Sequence, residues 1–211
     1  MEQQSLFPII DQQFFQPYPP PTNQHAVEVI RGLRYVPNYI TEFQHEWLLN
    51  EIEKHTWGNF YQRRIQHYGE SYYRDDDESD NERSVTEMPE WLKRLCLKLH
   101  TDGYMPVVAN QALISEYEPG QGIGSHIDKE ACHMDTIISL SLGSSCVMEL
   151  TNQDDESRKV SIWLAPRSIA VLSEDAKTHW MHGIPSRKTD IWEGRKFERG
   201  RRVSITFRSL M

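Results

Sequence analysis

The sequence predicts an α+β chain: a double-stranded β-helix (jelly-roll) core preceded by helices and a loop-rich segment. Three observations predict it. Two helical patterns occupy the first half of the chain. From Val107 onward the pattern changes to short β runs separated by Gly, Pro or acidic clusters. Helices followed by a succession of strands is the order of an α+β domain, and 211 residues suffice for one sizeable core.

The elements follow in order. Residues 1–28 are rich in Gln, Pro and aromatics, with "PYPPP" at 17–21, and read as a flexible arm ahead of a domain over 29–211. "GLRYVPNYI" (32–40) reads as a short strand running into a turn. Thr41 then starts a helix, because Thr41 and Gln44 make a capping box and Trp47, Leu48 and Ile52 form an apolar stripe. Residues 57–85 are polar and aromatic without a period, which predicts a lid rich in loops. A second helix spans about 89–101, with Pro89 in its first turn, Trp91, Leu92, Leu95 and Leu99 buried, and Gly103 ending it. The strands are "VVANQALISEY", "TIISLSLG", "SCVMEL", "VSIWLA", "SIAVLS", "WMHGI" and "RRVSITF". Trp163 and Trp180 fall on them as core residues.

Bulk properties exclude little. A net charge of −8 argues against a generic nucleic-acid coat but not against an enzyme with a local basic rim; Arg195, Lys196, Arg199, Arg201, Arg202 and Arg208 cluster late in the chain. No run approaches a membrane span and no signal peptide opens the chain, so an intracellular setting is expected, cytoplasmic or nuclear in a eukaryote. Cys96, Cys132 and Cys146 are widely spaced and read as free thiols.

The chemistry concentrates in "SEYEPGQGIGSHIDKE" (115–130). On a strand, His126 and Asp128 leave the same face, a two-ligand bite suited to a divalent metal. A hydrogen-bonded pair at a strand edge would look the same. The third ligand is best sought far downstream, at His182 in "HWMHGIP". Two imidazoles and one carboxylate on one face of an octahedral metal leave three positions open. His100, His133 and His179 are rivals, but no second thiol pair joins Cys132 and His133 in a zinc set, and "EPGQG" is a turn with no helix behind it. "RRVSITFR" (201–208) adds the decisive feature. Arg202, Ser204, Thr206 and Arg208 alternate with Val203, Ile205 and Phe207, so one face of this strand is cationic and polar. Two inward arginines are costly unless an anion joins them, and a metal-chelating dicarboxylate meets both needs.

The set His126-x-Asp128, His182 and Arg202-x5-Arg208, with "YEPGQGI" before the first His, resembles the AlkB family of Fe(II)/2-oxoglutarate dioxygenases over roughly residues 33–208. "RRIQHYG" (63–69) and the stretch from "EPGQGIGSHID" to "SLSLGSSCVMEL" are most similar to the oxygenase domain of the tRNA-modifying subgroup. The resemblance implies Fe(II) on His126, Asp128 and His182, with 2-oxoglutarate as cosubstrate and O2 as oxidant. It implies that Arg202, helped by Tyr117, pairs with the distal carboxylate, and that Arg208 supports the metal-proximal end. Ser115 stands where the family usually carries Asn, and Ser204 where some members do. The implied reaction is oxidative demethylation or hydroxylation of a modified base in RNA or DNA; a monomer with no membrane partner is expected.

The lid residues Tyr61, Arg63, Arg64, His67, Tyr68, Tyr72 and Tyr73 mix cations with aromatics, as a grip on phosphates and an extruded base requires. Glu130 is placed to read a base edge. A surface loop packed on the helices is the plainer reading of the same residues. Two alternatives stand beside it: the same chemistry on a protein or lipid, for which the acidic balance is the best argument, and an inactive nucleic-acid reader, against which the intact triad and both arginines argue.

Overall fold

The computed structural model describes residues 23–60, 63–70, 86–128 and 136–210. Within them two antiparallel sheets face each other. The larger runs β1 (Leu33–Val36), β9 (Ile169–Ser173), β6 (Thr136–Gly143), β13 (Arg202–Arg208), β4 (Gln111–Tyr117), β3 (Arg63–Gly69) and β2 (Gly58–Phe60) from edge to edge. The smaller runs β5 (Ile123–His126), β10 (Trp180–Ile184), β7 (Cys146–Asn152) and β8 (Lys159–Leu164), and β11 (Thr189–Trp192) pairs with β12 (Arg195–Glu198) as a separate hairpin. This is the expected jelly-roll.

Strand alternation sorts the side chains into two compartments. Ile114 of β4, Ile138, Leu140 and Leu142 of β6, and Val203, Ile205 and Phe207 of β13 face outward. They pack under α2 (Glu42–Glu53) and α3 (Glu90–Thr101), meeting Leu48, Ile52, Leu92, Leu95 and Leu99. A second cluster fills part of the space between the sheets, joining Leu33, Ala170 and Leu172 to Met148, Leu150, Ile162, Leu164 and Trp180. Apart from Leu113 and Ile137, most of the remaining inward positions of β4, β6 and β13 are polar, and they line the lumen that holds the site.

The capping box at Thr41 forms in both directions: Gln44 N donates to Thr41 Oγ1 at 3.2 Å, and Thr41 N donates to Gln44 Oε1 at 2.8 Å. In α3, Pro89 is the N-cap rather than a residue of the first turn. Trp163 and Trp180 are buried.

Two expectations need correction. Residues 24–28 do not belong to a flexible arm: they lie in α1 (Gln24–Val29), whose Ala26 is buried in the cluster between the sheets. The Asn23 side chain imitates a strand, donating Nδ2–H to Trp163 O at 2.8 Å and accepting from Trp163 N at 2.7 Å. Residues 1–22 lie outside the described residues. Nor is the whole of 57–85 a lid, because β2 and β3 form a hairpin hydrogen-bonded to β4 at the edge of the larger sheet. Residues 71–85 fall outside the described residues. The α4 helix (Glu174–Thr178) and the β11–β12 hairpin had no place in the sequence reading.

Candidate active site

His126 closes β5, and His182 sits directly across from it on β10 as its Cα partner. Gly183 permits that approach, since a Cβ there would lie 2.9 Å from the Ser125 backbone. Asp128 follows two residues after His126. One ligand atom each from His126, Asp128 and His182 falls within 4.8 Å of the others, and the two imidazole centroids are 4.5 Å apart.

The surroundings prepare each donor. The His126 Nδ1 lies 2.9 Å from Gly124 O; as the donor there it carries the proton, leaving Nε2 with its lone pair. Asp128 is 7% exposed. Burial alone would raise its carboxyl pKa, but the Arg208 guanidinium, then the His182 and His126 imidazoles, outweigh burial and hold it below the usual carboxylate value. Arg208 Nη2 donates to Asp128 Oδ1 at 2.7 Å, whereas Oδ2, 3.4 Å from His182 Nε2, has no hydrogen-bond partner among the described residues. Burial pushes His182 down to about 4, only partly offset by Asp128, so its imidazole is neutral near pH 7. A buried anionic oxygen without a donor, beside the neutral His182 imidazole and the His126 ring, is a ligand set for a divalent cation.

These shifts carry a pH signature. Unfolded His182 takes up a proton near 6.5, whereas folded His182 resists until about 4. Between those values the unfolded chain therefore binds more protons, and stability is lost as pH falls. Thermal unfolding of metal-free protein is expected to show that loss, and His182→Asn, measured beside it, a shallower one. Parallel curves for the two proteins between pH 6.5 and 4 would rule the effect out.

The other end of the lumen is built for an anion. Arg202 on β13 is 3% exposed, and its Nη2 donates to Ser141 Oγ at 3.0 Å. Its Nε and Nη1 are buried without a hydrogen-bond partner among the described residues. Its guanidinium carbon stands 5.5 Å from the Tyr117 ring centroid. Ser204 lies in register with Ser115 on one side and Ser141 on the other, so three hydroxyls cross the lumen floor. Ser141 was missed by sequence reading, although the Ser139-x-Ser141 alternation within "TIISLSLG" is its signal. A buried cation with two free donors fits one end of a dicarboxylate.

The lid residues divide. Arg63 and His67 share the lumenal face of β3, and Arg63 stands 5.5 Å from the Tyr117 ring. Arg64 and Tyr68 are corrected: the alternation of β3 turns them to the face opposite the lumen. Arg64 forms a fork with the buried Glu116, Nε to Oε2 at 2.5 Å and Nη2 to Oε1 at 2.7 Å, and lies over Trp57. Tyr68 is 2% exposed in the core under the helices. Tyr61, Tyr72, Tyr73 and Glu130 lie outside the described residues. The late basic cluster is also largely consumed: Arg201 pairs with Glu116 and Glu53, and Arg199 forks onto the buried Asp190.

A sequence profile described as the 2OG-Fe(II) oxygenase superfamily matches residues 22–208. The chain belongs to that superfamily. This oxygenase is 34% identical over 184 residues to uncharacterized protein L905 of Acanthamoeba polyphaga mimivirus, covering 86% of each chain. It is 28% identical over 203 residues to the alkylated DNA repair protein ALKBH8 homolog of Arabidopsis thaliana, covering 86% of this chain and 59% of that one. The mouse tRNA (carboxymethyluridine(34)-5-O)-methyltransferase ALKBH8 is 33% identical over 165 residues, 70% of this chain but 24% of that protein. The oxygenase thus spans between a quarter and three fifths of these two AlkB homologues. The solved structure of OsALKBH1 superposes with a TM-score of 0.65 at 14% identity, covering 84% of this chain and 98% of that one, a likeness of fold. AlkB-type relatives agree with the resemblance carried by the motif. This oxygenase works with Fe(II), 2-oxoglutarate and O2, and its His-Asp-His triad fits the metal.

Proposed function

We propose that this oxygenase oxidises a modified base in RNA or DNA, by demethylation or hydroxylation, with the lumen between the two sheets as its reaction chamber. The observation that carries the cosubstrate half is the buried Arg202 guanidinium with two unpartnered donors, in the same lumen as the triad. His126, Asp128 and His182 would hold Fe(II). Bound with 2-oxoglutarate and O2, the iron supplies an oxidant strong enough to break an unactivated C–H bond.

The chain's own residues bind, orient and exclude water. Arg202 pairs with the distal carboxylate of 2-oxoglutarate, and Tyr117 packs against that guanidinium. Ser115 and Ser204 offer hydroxyls in place of an amide. Arg208 fixes Asp128 through one oxygen, leaving the other for the metal. One apolar cluster backs the larger sheet and another fills part of the space between the sheets, and the buried Arg202 and Asp128 therefore act at low dielectric. His67 lies on the lumenal face where a substrate would enter. The nucleic-acid half is supported by the relatives, whose names include a DNA repair protein and a tRNA-modifying enzyme. The protein is read as an intracellular monomer; Cys96 and Cys146 are free and buried, which suits a reducing compartment. No helix among the described residues is long and apolar enough to cross a membrane.

Reconstitution with Fe(II) and 2-oxoglutarate, followed by mass spectrometry of nucleosides from treated RNA and DNA, tests the reading. A nucleoside that loses a methyl group or gains one oxygen, in step with succinate release, is expected. Succinate release stimulated by protein and by neither nucleic acid would overturn it and leave a protein side chain as substrate.

A further inference from the structure

Tyr117 carries guanidinium groups from two different strands. Arg202 of β13 and Arg63 of β3 each place the guanidinium carbon 5.5 Å from the phenol centroid. Arg63 Nε is buried and has no hydrogen-bond partner among the described residues. The neighbouring Arg64, on the other face of β3, is by contrast forked onto Glu116. A cation turned into the lumen with no carboxylate partner among the described residues costs desolvation energy, and attraction to the ring face returns part of it.

We propose that Arg63 is a positioning residue for the cosubstrate: by stacking on Tyr117 it fixes the ring so that the phenol and the Arg202 fork present their donors to one carboxylate together. The inference rests on the reading of Arg202 as the carboxylate partner. The geometry favours it over a grip on a nucleic-acid phosphate, because Arg63 is held to a cosubstrate-pocket ring. Its location also has a structural reason. β3 is joined to β4 by the pairing Ile65 to Ser115 and His67 to Leu113, which brings the start of β3 alongside the Tyr117 end of β4. The hairpin first read as a substrate lid would then close the side of the cosubstrate pocket.

The test is anaerobic titration of the Fe(II)-loaded protein with 2-oxoglutarate, read from the visible charge-transfer band and so independent of turnover and of any prime substrate. Arg63→Ala is expected to weaken 2-oxoglutarate by roughly fivefold to thirtyfold, the range of a partly desolvated cation–π contact. Arg63→Lys, which keeps a cation for the ring, should recover much of that loss. In a Tyr117→Phe background, which retains the ring but has no phenol to aim, Arg63→Ala should cost little more. Arg202→Ala serves as the control. If Arg202→Ala binds normally, the cosubstrate reading itself has failed and this inference with it. If Arg202→Ala binds weakly while Arg63→Ala binds as wild type, only the role of Arg63 is overturned. Loss of single-stranded RNA affinity in Arg63→Ala with unchanged 2-oxoglutarate binding would reassign the residue to phosphate. Equal losses in Arg63→Ala and Arg63→Lys, with full additivity against Tyr117→Phe, would also overturn the positioning role.

Discussion

Asp128→Ala is expected to reduce iron-dependent succinate formation at least about a hundredfold, since even a residue that merely supports a metal ligand is worth about tenfold to a hundredfold. The change deletes a ligand and also strands Arg208, whose Nη2 has Asp128 Oδ1 as its partner. A buried cation left unpaired costs about 3–5 kcal/mol, so the alanine variant should also unfold at lower temperature. Asp128→Asn separates the two effects. It keeps an oxygen for Arg208 and loses the charge, so its unfolding should stay closer to wild type while succinate formation still collapses. An asparagine variant that retains iron-dependent turnover would remove Asp128 from the metal site.

For Arg202 the lesson lies in the contrast between two replacements. Arg202→Lys keeps the charge but not the planar fork, and 2-oxoglutarate should bind roughly tenfold more weakly; Arg202→Ala should lose roughly a hundredfold, the worth of one to two charge-assisted hydrogen bonds. Both variants should still bind Fe(II), because Arg202 touches Ser141 and the Tyr117 ring and not the triad. The apparent affinity for 2-oxoglutarate, read from succinate release across cosubstrate concentration, is the check. Equal affinity in wild type and both variants would sink the assignment.

Much of this site was legible because a strand writes its two faces into alternate residues. Arg202, Ser204, Thr206 and Arg208 could be assigned to one side without any knowledge of their neighbours. His126 and Asp128 could be paired the same way. The Thr41 capping box needed only four consecutive residues. What stayed hidden depended on partners distant in sequence. Arg63 and Arg64 look alike until β3 is placed against β4, and only then does Glu116, fifty-two residues on, claim Arg64. Tyr68 looked like a stacking platform for the same reason. The β11–β12 hairpin escaped because its turn, Glu193-Gly194, holds both residues at positive φ without the Asn-Gly or Asp-Gly pair that advertises such a turn. Asn23 could not be read from sequence at all, since its strand-like grip on Trp163 spans 140 residues.

The central position of β13 has a consequence for how the protein is made. The strand carrying both arginines lies between β4 and β6, hydrogen-bonded to each along nearly its whole length, yet it follows all the other described strands in sequence. A nascent chain that has reached residue 200 therefore holds two complete strands whose facing edges await a common partner. Such edges invite strands from other chains, and the outward faces of β4 and β6 carry Ile114, Ile138, Leu140 and Leu142. Until β13 slots in, the lumen has no floor, no carboxylate fork and no counter-ion for Asp128. Closure of the larger sheet and assembly of the active site thus depend on the same strand, and a chain halted before β13 would be sticky and siteless at once.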